Sequence, residues 1–205
     1  MITNTTFETD VTGLASPSED KRMVATIVHA FEADPAARWL YPDDAAYAES
    51  FPEFVRAFAG RAIEDGTAHY APGFAGAAFW FAPSVHGDDQ AVIALIERTV
   101  PSSRLDDAFE LFDQMGEIHP REPHWYLPMI GVAPALQGRG HGSALLSHGL
   151  AICDREGMPA YLESSSAANL PLYRRHGFRQ IAELKAGSSP PIYPMLREPQ
   201  PVSQY

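Results

Sequence analysis

The chain is short of cysteine, of long apolar runs and of positive charge, and each shortage excludes something. One cysteine in 205 residues, Cys153, rules out an internal disulfide framework and any multi-cysteine zinc site. No apolar stretch reaches the ~20 residues that a membrane-spanning helix needs. The first residues, "MITNTTFETDVTG", have neither a basic start nor an apolar centre, so they do not read as a secretory signal. A cytoplasmic protein with no membrane partner is the expectation. Bases number 15 against 26 acids, a formal net charge of −11. Outside Arg174, Arg175 and Arg179 there is no basic cluster, so nucleic acid is not an expected partner. The acidity favours cationic partners at long range without selecting one.

What is present is a chain of alternating helical and strand-like segments. At 45% apolar content, it has enough to build one real core. Residues 1–16 read as a flexible polar segment, 17–197 as a single domain and 198–205 as a tail. "SPSEDKRMVATIVHAFEADP" has helical spacing with an apolar stripe of Met23, Ile27, Val28 and Phe31, ended by Pro35. "ARWLYPDD" reads as an aromatic loop. "AAYAESFPEFVRAFAGRAIEDG" is helical again, with Pro52 as a predicted break. Two short strands around Pro72-Gly73 form a hairpin, and two more helices follow. "PHWYLPMIGVAP" is the strongest strand, with a helix through "SALLSHGLAICDREG", a strand "AYLESS", a short helix "NLPLYRRHG", and strands at "FRQIAELK" and "PIYPMLRE". The order predicts an α/β protein, mixed α+β in detail, with helices on both faces of the sheet. The strand–helix–strand unit over 124–164 should be a parallel crossover.

Between the strongest strand and its helix lies "GVAPALQGRGHGSALL". A strand that runs through glycines into a helix is built for anions. The first helical amides lack internal partners, the peptide dipoles add positive potential, and glycines let a phosphate approach the backbone. "QGRGHGS" should therefore hold phosphate oxygens, with Arg139 or the Ser143 hydroxyl as side-chain contacts. No lysine stands where a Walker loop needs one, and the glycine spacing is not that of a dinucleotide fold.

Gln137-Gly138-Arg139-Gly140-His141-Gly142 resembles the Q/R-x-x-G-x-G/A signature of the GNAT superfamily of N-acetyltransferases. Downstream, Asn169, Tyr173 and Gly177-Phe178 resemble the second block of that signature. The wording over residues 120–197 is especially similar to the puromycin N-acetyltransferase-like branch. The resemblance implies a central, mostly antiparallel, twisted sheet with one splayed parallel pair. It divides the domain into an acceptor-side half, 17–120, and an acetyl-CoA-binding half, 121–197. It also implies direct acetyl transfer from acetyl-CoA to a primary amine of a small molecule, with coenzyme A as product and a homodimer left open. Gln137, Gly138, Arg139, Gly140, His141, Gly142 and Ser143 would bind the pyrophosphate. Ile130 and Val132 would offer backbone groups to the pantetheine arm, and Asn169 would stand beside it or cap the next helix.

Tyr173 takes the place of the family's general acid. A phenol, with an ordinary pKa of about 10, is protonated at neutral pH and can give its proton to a thiolate. For the base, Tyr126 occupies the position where relatives carry Glu or His, so the candidates become Glu163 on the next strand and His124 two residues before Tyr126. An ion pair with Arg175 is the alternative role for Glu163. Pro128, with no N–H, fits a bulge or splay near the reaction centre, or else an edge strand. Trp39, Tyr41, Phe79, Trp80 and Phe81 are candidate walls of an acceptor pocket. Cys153, mid-helix on the apolar stripe, reads as core. A non-catalytic acyl-CoA-binding module and a protein or peptide N-acetyltransferase are the competing readings.

Overall fold

The computed structural model of the protein describes residues 13–201. Most of the expected N-terminal segment, and the last residues of the expected tail, lie outside the described residues. Six strands form one sheet: β1 (Ala68–Tyr70), β2 (Gly76–Phe81), β3 (Trp125–Val132), β4 (Ala160–Ser164), β5 (Arg179–Gln180) and β6 (Tyr193–Arg197). Their spatial order is β1-β2-β3-β4-β6-β5. Every neighbouring pair is antiparallel except β3 and β4, which run parallel as the crossover required.

Helices cover both faces. On one face, α1 (Asp20–Ala30), α3 (Asp44–Ala59), α5 (Asp89–Thr99) and α6 (Ser102–Ile118) bury Met23, Ile27, Phe51, Val55 and Ile96. Tyr47, Phe51, Phe54 and Phe58 stack along α3 with successive ring separations of 4.7, 5.7 and 5.3 Å. On the other face, α7 (His141–Glu156) lays Leu146, Leu150 and Cys153 against Trp80, Trp125 and Leu162. Gly149 lets this helix come close, since a Cβ there would lie 2.3 Å from the Trp80 ring. Burial pushes the Cys153 thiol up to about 12, which leaves it a core residue and a poor nucleophile.

The two ends of α7 are fixed differently. Gly157 in the left-handed region stops the helix, and Asp154 in its last turn takes a bidentate bond from buried Arg197 at 2.7 and 2.8 Å. Arg197 also donates to the His176 carbonyl. One guanidinium thus joins α7, β6 and the turn after α8 (Leu170–Arg175). The other end of α7 is left open toward the cleft.

Three local expectations are corrected. "ARWLYPDD" is not all loop: Pro35–Leu40 is helix α2, because the Asp34 carboxylate accepts from the Ala36 and Ala37 amides and Pro35 suits the first turn. Pro52 does not break α3. The missing N–H is offset by the buried aromatic ladder, and the chain breaks eight residues later at Gly60 before α4 (Arg61–Glu64). "FRQIAELK" pairs only over Arg179–Gln180, with one further bridge from Leu184 to Ile192. The facing segment carries Pro190, Pro191 and Pro194, which bring no N–H to a ladder.

Candidate active site

The site begins at one irregularity in β3. Tyr126 pairs with Phe81 of β2, but Met129 pairs with Phe79, so β3 has one residue more than its partner between these points. That is a β-bulge at Leu127-Pro128. Pro128 therefore lies in an inner strand, at a bulge, and the edge-strand reading is excluded. Pairing with β4 ends in the same place, at Leu127–Leu162. The bulge reverses the direction in which backbone groups point. Before it, the Trp125 amide donates to Pro159 on the β4 side; after it, Ala133 donates to Ala75 on the β2 side. Counting back by alternation, Met129 and Gly131 are satisfied by β2, while Ile130 and Val132 direct N–H and C=O into the gap. Gln137 Nε2 takes up the Val132 carbonyl at 3.2 Å.

The glycine turn lies at the mouth of that gap. Gly138 and Gly140 have φ of 73° and 90°, left-handed values that glycine adopts without a Cβ penalty. Among the described residues, no backbone or side-chain acceptor takes the amide hydrogens of residues 138 through 143. Ala144 is the first to bond back, to the Gly140 carbonyl. The result is a row of free donors at the N-terminus of a 16-residue helix. A cleft of about 460 Å³ runs along it. Ile130, Val132, Gln137, Gly138, Gly140, His141, Gly142, Ser143, Asn169 and Tyr173 all line this cleft. Arg139 does not. The cation that does is Arg175, at the end of α8, which sequence reading considered only as an ion-pair partner. Ser143 is already engaged with His176 Nε2 at 2.7 Å. Asn169 sits at the N-cap of α8 but makes no capping bond, so its side chain is free toward the cleft.

A smaller cavity continues from the cleft. Phe31, Asp34, Ile130, Asn169 and Tyr173 line both spaces. Beyond it lies an outer cavity of about 430 Å³, and Phe58, Phe112, Met115, Tyr126 and Glu163 are common to the inner and outer ones. Tyr173 therefore borders both the cleft and the inner cavity, and Glu163 both the inner cavity and the outer one. Of the aromatic residues expected as pocket walls, Trp39 lines the inner cavity and Phe81 the outer one. Tyr41, Phe79 and Trp80 are core instead. Phe31, Phe51, Phe54, Phe58 and Phe112 are the walls in their place; of these, the sequence marked Phe31 only as part of an apolar stripe.

Glu163 is held by two phenols. Its Oε2 accepts from Tyr126 at 2.6 Å and its Oε1 from Tyr161 at 2.9 Å. Burial, followed by the Glu163 charge, pushes the Tyr126 and Tyr161 phenols up, so both remain donors. Arg175 makes no ion pair with Glu163 among the described residues; the imidazole beside it is His119, 3.7 Å away. His124 lines none of the three spaces. It stands behind His119, with their Nε2 atoms 3.0 Å apart. Burial pushes Tyr173 up as well, with Asp34 adding to it. Asp34 was not singled out in the sequence, where it falls at the end of a predicted helix. Burial raises its pKa against the opposing bonds from Ser165 and the Ala36 and Ala37 amides. The inner cavity thus holds two carboxyl side chains and no Lys, Arg or His among its lining residues.

A row of unpaired amides leading through a splayed strand pair to a buried carboxylate and a neutral phenol defines a class: an acyltransferase fed by a nucleotide-linked thioester. A model of the acetyltransferase (GNAT) family matches residues 44–178, and the chain belongs to that family, whose members use acetyl-CoA as cosubstrate. It is 29% identical over 201 residues to an uncharacterized N-acetyltransferase of Schizosaccharomyces pombe, covering 90% of this chain and 81% of that one. Among solved structures, a histone acetyltransferase HPA2 and related acetyltransferase from Corynebacterium glutamicum matches with a TM-score of 0.63 at 24% identity, covering 93% and 96% of the two chains. A polyamine N-acetyltransferase of Drosophila melanogaster, which forms N-acetylagmatine, matches with 0.61 at 14%, covering 91% and 98%. At these identities the structural matches speak for the fold. No helix among the described residues is long and apolar enough to cross a membrane.

Proposed function

We propose that the chain moves the acetyl group of acetyl-CoA directly onto a primary amine of a small molecule that has an apolar body. The observation that carries this reading is the inner cavity. It has aromatic walls, two carboxyl side chains and no basic residue, an environment that attracts an ammonium group and repays burial of apolar surface. The S. pombe relative is named as an N-acetyltransferase and the Drosophila neighbour as a polyamine N-acetyltransferase, which supports an amine acceptor. The resemblance to the puromycin N-acetyltransferase-like branch supports a small one.

In this reading the single domain over 17–197 works in two halves. The amides of residues 138–143 grip the pyrophosphate, with Gln137, His141, Ser143 and Arg175 at its margins. Ile130 and Val132 pair with the pantetheine amides along the free edge of β3, and Asn169 borders the same arm. Glu163 takes the proton that the ammonium must lose before its lone pair attacks the thioester carbon. Tyr173 gives a proton to the departing thiolate. The acid–base pair contributes on the order of 10²–10⁴ in rate, and cavity walls that fix the amine against the thioester add a proximity effect.

The test is release of free thiol from acetyl-CoA over a panel of phenyl- and indole-ethylamines, agmatine, polyamines, puromycin and a lysine-bearing histone peptide. Saturable turnover is expected with small apolar amines. Transfer to the peptide alone, or tight coenzyme binding without transfer to any amine, contradicts the proposal.

A further inference from the structure

The reaction liberates a proton into a site walled by aromatic rings, and the proposed acceptor, Glu163, has a side chain only 5% exposed. A carboxylate enclosed in this way must unload before the next turnover. The structure offers a route. Glu163 Oε1 lies 3.7 Å from His119 Nδ1, an ion-pair distance that is longer than a hydrogen bond. His119 Nε2 meets His124 Nε2 at 3.0 Å, and His124 Nδ1 meets the Glu122 carbonyl oxygen at 2.7 Å at the surface.

The hydrogen positions follow from which atoms can only accept. The Glu122 carbonyl has no hydrogen, so His124 Nδ1 carries one and donates it. Neutral His124 then has an accepting Nε2, and His119 Nε2 must be the donor. That leaves His119 Nδ1 facing Glu163, where one proton fits between them: on the carboxyl with His119 neutral, or on His119 with Glu163 ionised. The His119 ring is held edge-on between Tyr126 and Tyr161, at centroid distances of 4.9 and 4.7 Å. Those two tyrosines are also the ones that donate to Glu163. His86, Asp89 and Asp113 are the other titratable groups that share the outer cavity with His119.

We propose that His119 and His124 form the exit by which the amine's proton leaves Glu163 for solvent. This rests on the reading of Glu163 given above. The transfers balance. The ammonium N–H bond breaks as a Glu163 O–H forms. That proton passes to His119 Nδ1, the His119 Nε2 proton passes to His124 Nε2, and the His124 Nδ1 proton leaves the Glu122 carbonyl for water; flips of the two rings then return each imidazole to its starting tautomer. His119 acts through Glu163 and does not touch the reacting carbon. Nothing in the sequence singles it out, since Pro120 and Pro123 separate it from His124 along the chain. The turn they make is what brings the two rings together.

The experiment uses His119→Ala and His119→Gln in the full chain, with the best amine from the panel. Both variants should bind coenzyme A within twofold of the parent and lose about tenfold or more in kcat, as for loss of a proton-transfer group. Imidazole in the assay should restore His119→Ala several-fold and leave the parent unchanged, and the solvent deuterium effect on kcat should grow in both variants. Turnover within twofold of the parent, or a loss that imidazole does not relieve while coenzyme binding stays intact, overturns the relay. Glu163→Gln is run alongside. If it keeps full activity, the role of Glu163 fails and the relay fails with it. If it is inactive while His119→Ala is not, only the relay fails.

Discussion

The Tyr126 hydroxyl donates to Glu163 at 2.6 Å. This bond explains a departure from the family pattern. Where the family resemblance implies Glu or His on the central strand, this chain has a phenol bonded to a carboxylate on the neighbouring strand. β3 and β4 are parallel and in register at this height, with Tyr126 beside Tyr161, so a side chain two residues along β4 occupies the same side of the sheet. For Tyr126→Phe, kcat should fall about tenfold with KM for acetyl-CoA unchanged, in keeping with the roughly 1.5–3 kcal/mol worth of a hydrogen bond to a charged group. Glu163→Gln should cost on the order of 10²–10⁴ in kcat. Steady-state kinetics on both variants checks this.

Tyr173→Phe should lower kcat by on the order of 10²-fold or more and leave coenzyme A affinity within twofold. Burial and the neighbouring Asp34 hold the phenol above its ordinary value of 10.0. It therefore stays protonated through the working range, and the parent's kcat should show no alkaline fall below pH 10 that disappears in the variant. Such a fall, traced to Tyr173 by its loss in Phe, would mean the phenol ionises within reach of solvent.

Gly149→Ala should destabilise the fold by about 1–3 kcal/mol, the usual cost of overpacking, because the new methyl would meet the Trp80 ring at 2.3 Å. The amide row at the other end of the same helix would tilt with it. Thermal melting and coenzyme A affinity should both decline, whereas Gly157→Asn, at a left-handed position with open space around it, should change neither appreciably.

The Asp154–Arg197 clamp sets an acid limit. Burial opposes the Asp154 charge, but the Arg197 bond and the Gln200 amide outweigh it and hold the carboxyl below its ordinary 3.8. A carboxyl whose folded pKa is lowered stabilises the fold above its unfolded value, and the contribution is lost as pH falls through the folded one. Denaturant melts should show stability dropping below about pH 4, less steeply in Asp154→Asn. Removing the carboxylate altogether, as in Asp154→Ala, strands a buried guanidinium and should cost about 3–5 kcal/mol at neutral pH.

Much of this site was legible in the sequence because its two anchors are backbone devices that leave composition marks. Three glycines between a strand and a helix, and a proline inside an inner strand, are costly unless the bare backbone or the missing donor is used. The structure puts Gly138 and Gly140 at positive φ and Pro128 at the bulge. What sequence could not give was convergence through space. Asp34 falls where the sequence predicts a helix end, yet one oxygen caps α2 and the other is bonded by Ser165 from far along the chain, at the cavity wall. His119 ends a helix, and nothing local says that it faces Glu163. The acceptor walls come from α1, α3 and α6, whose phenylalanines show the same spacing as any core stripe. Pro52 was read as a break because local propensity does not include the tertiary burial of α3, whereas Pro35, after its Asp34 cap, opens α2 by purely local signals.

Everything rests on the free amides between Gly138 and Ser143, and an amide-resolved NMR titration of the full chain with coenzyme A reports on them one by one. The expected result is that the backbone N–H signals of Gly138, Gly140, His141, Gly142 and Ser143 move furthest, downfield and saturably, with Ile130 and Val132 following. If coenzyme A binds while those signals stay in place and others shift, the phosphate is held elsewhere and the transferase chemistry is not built on this turn.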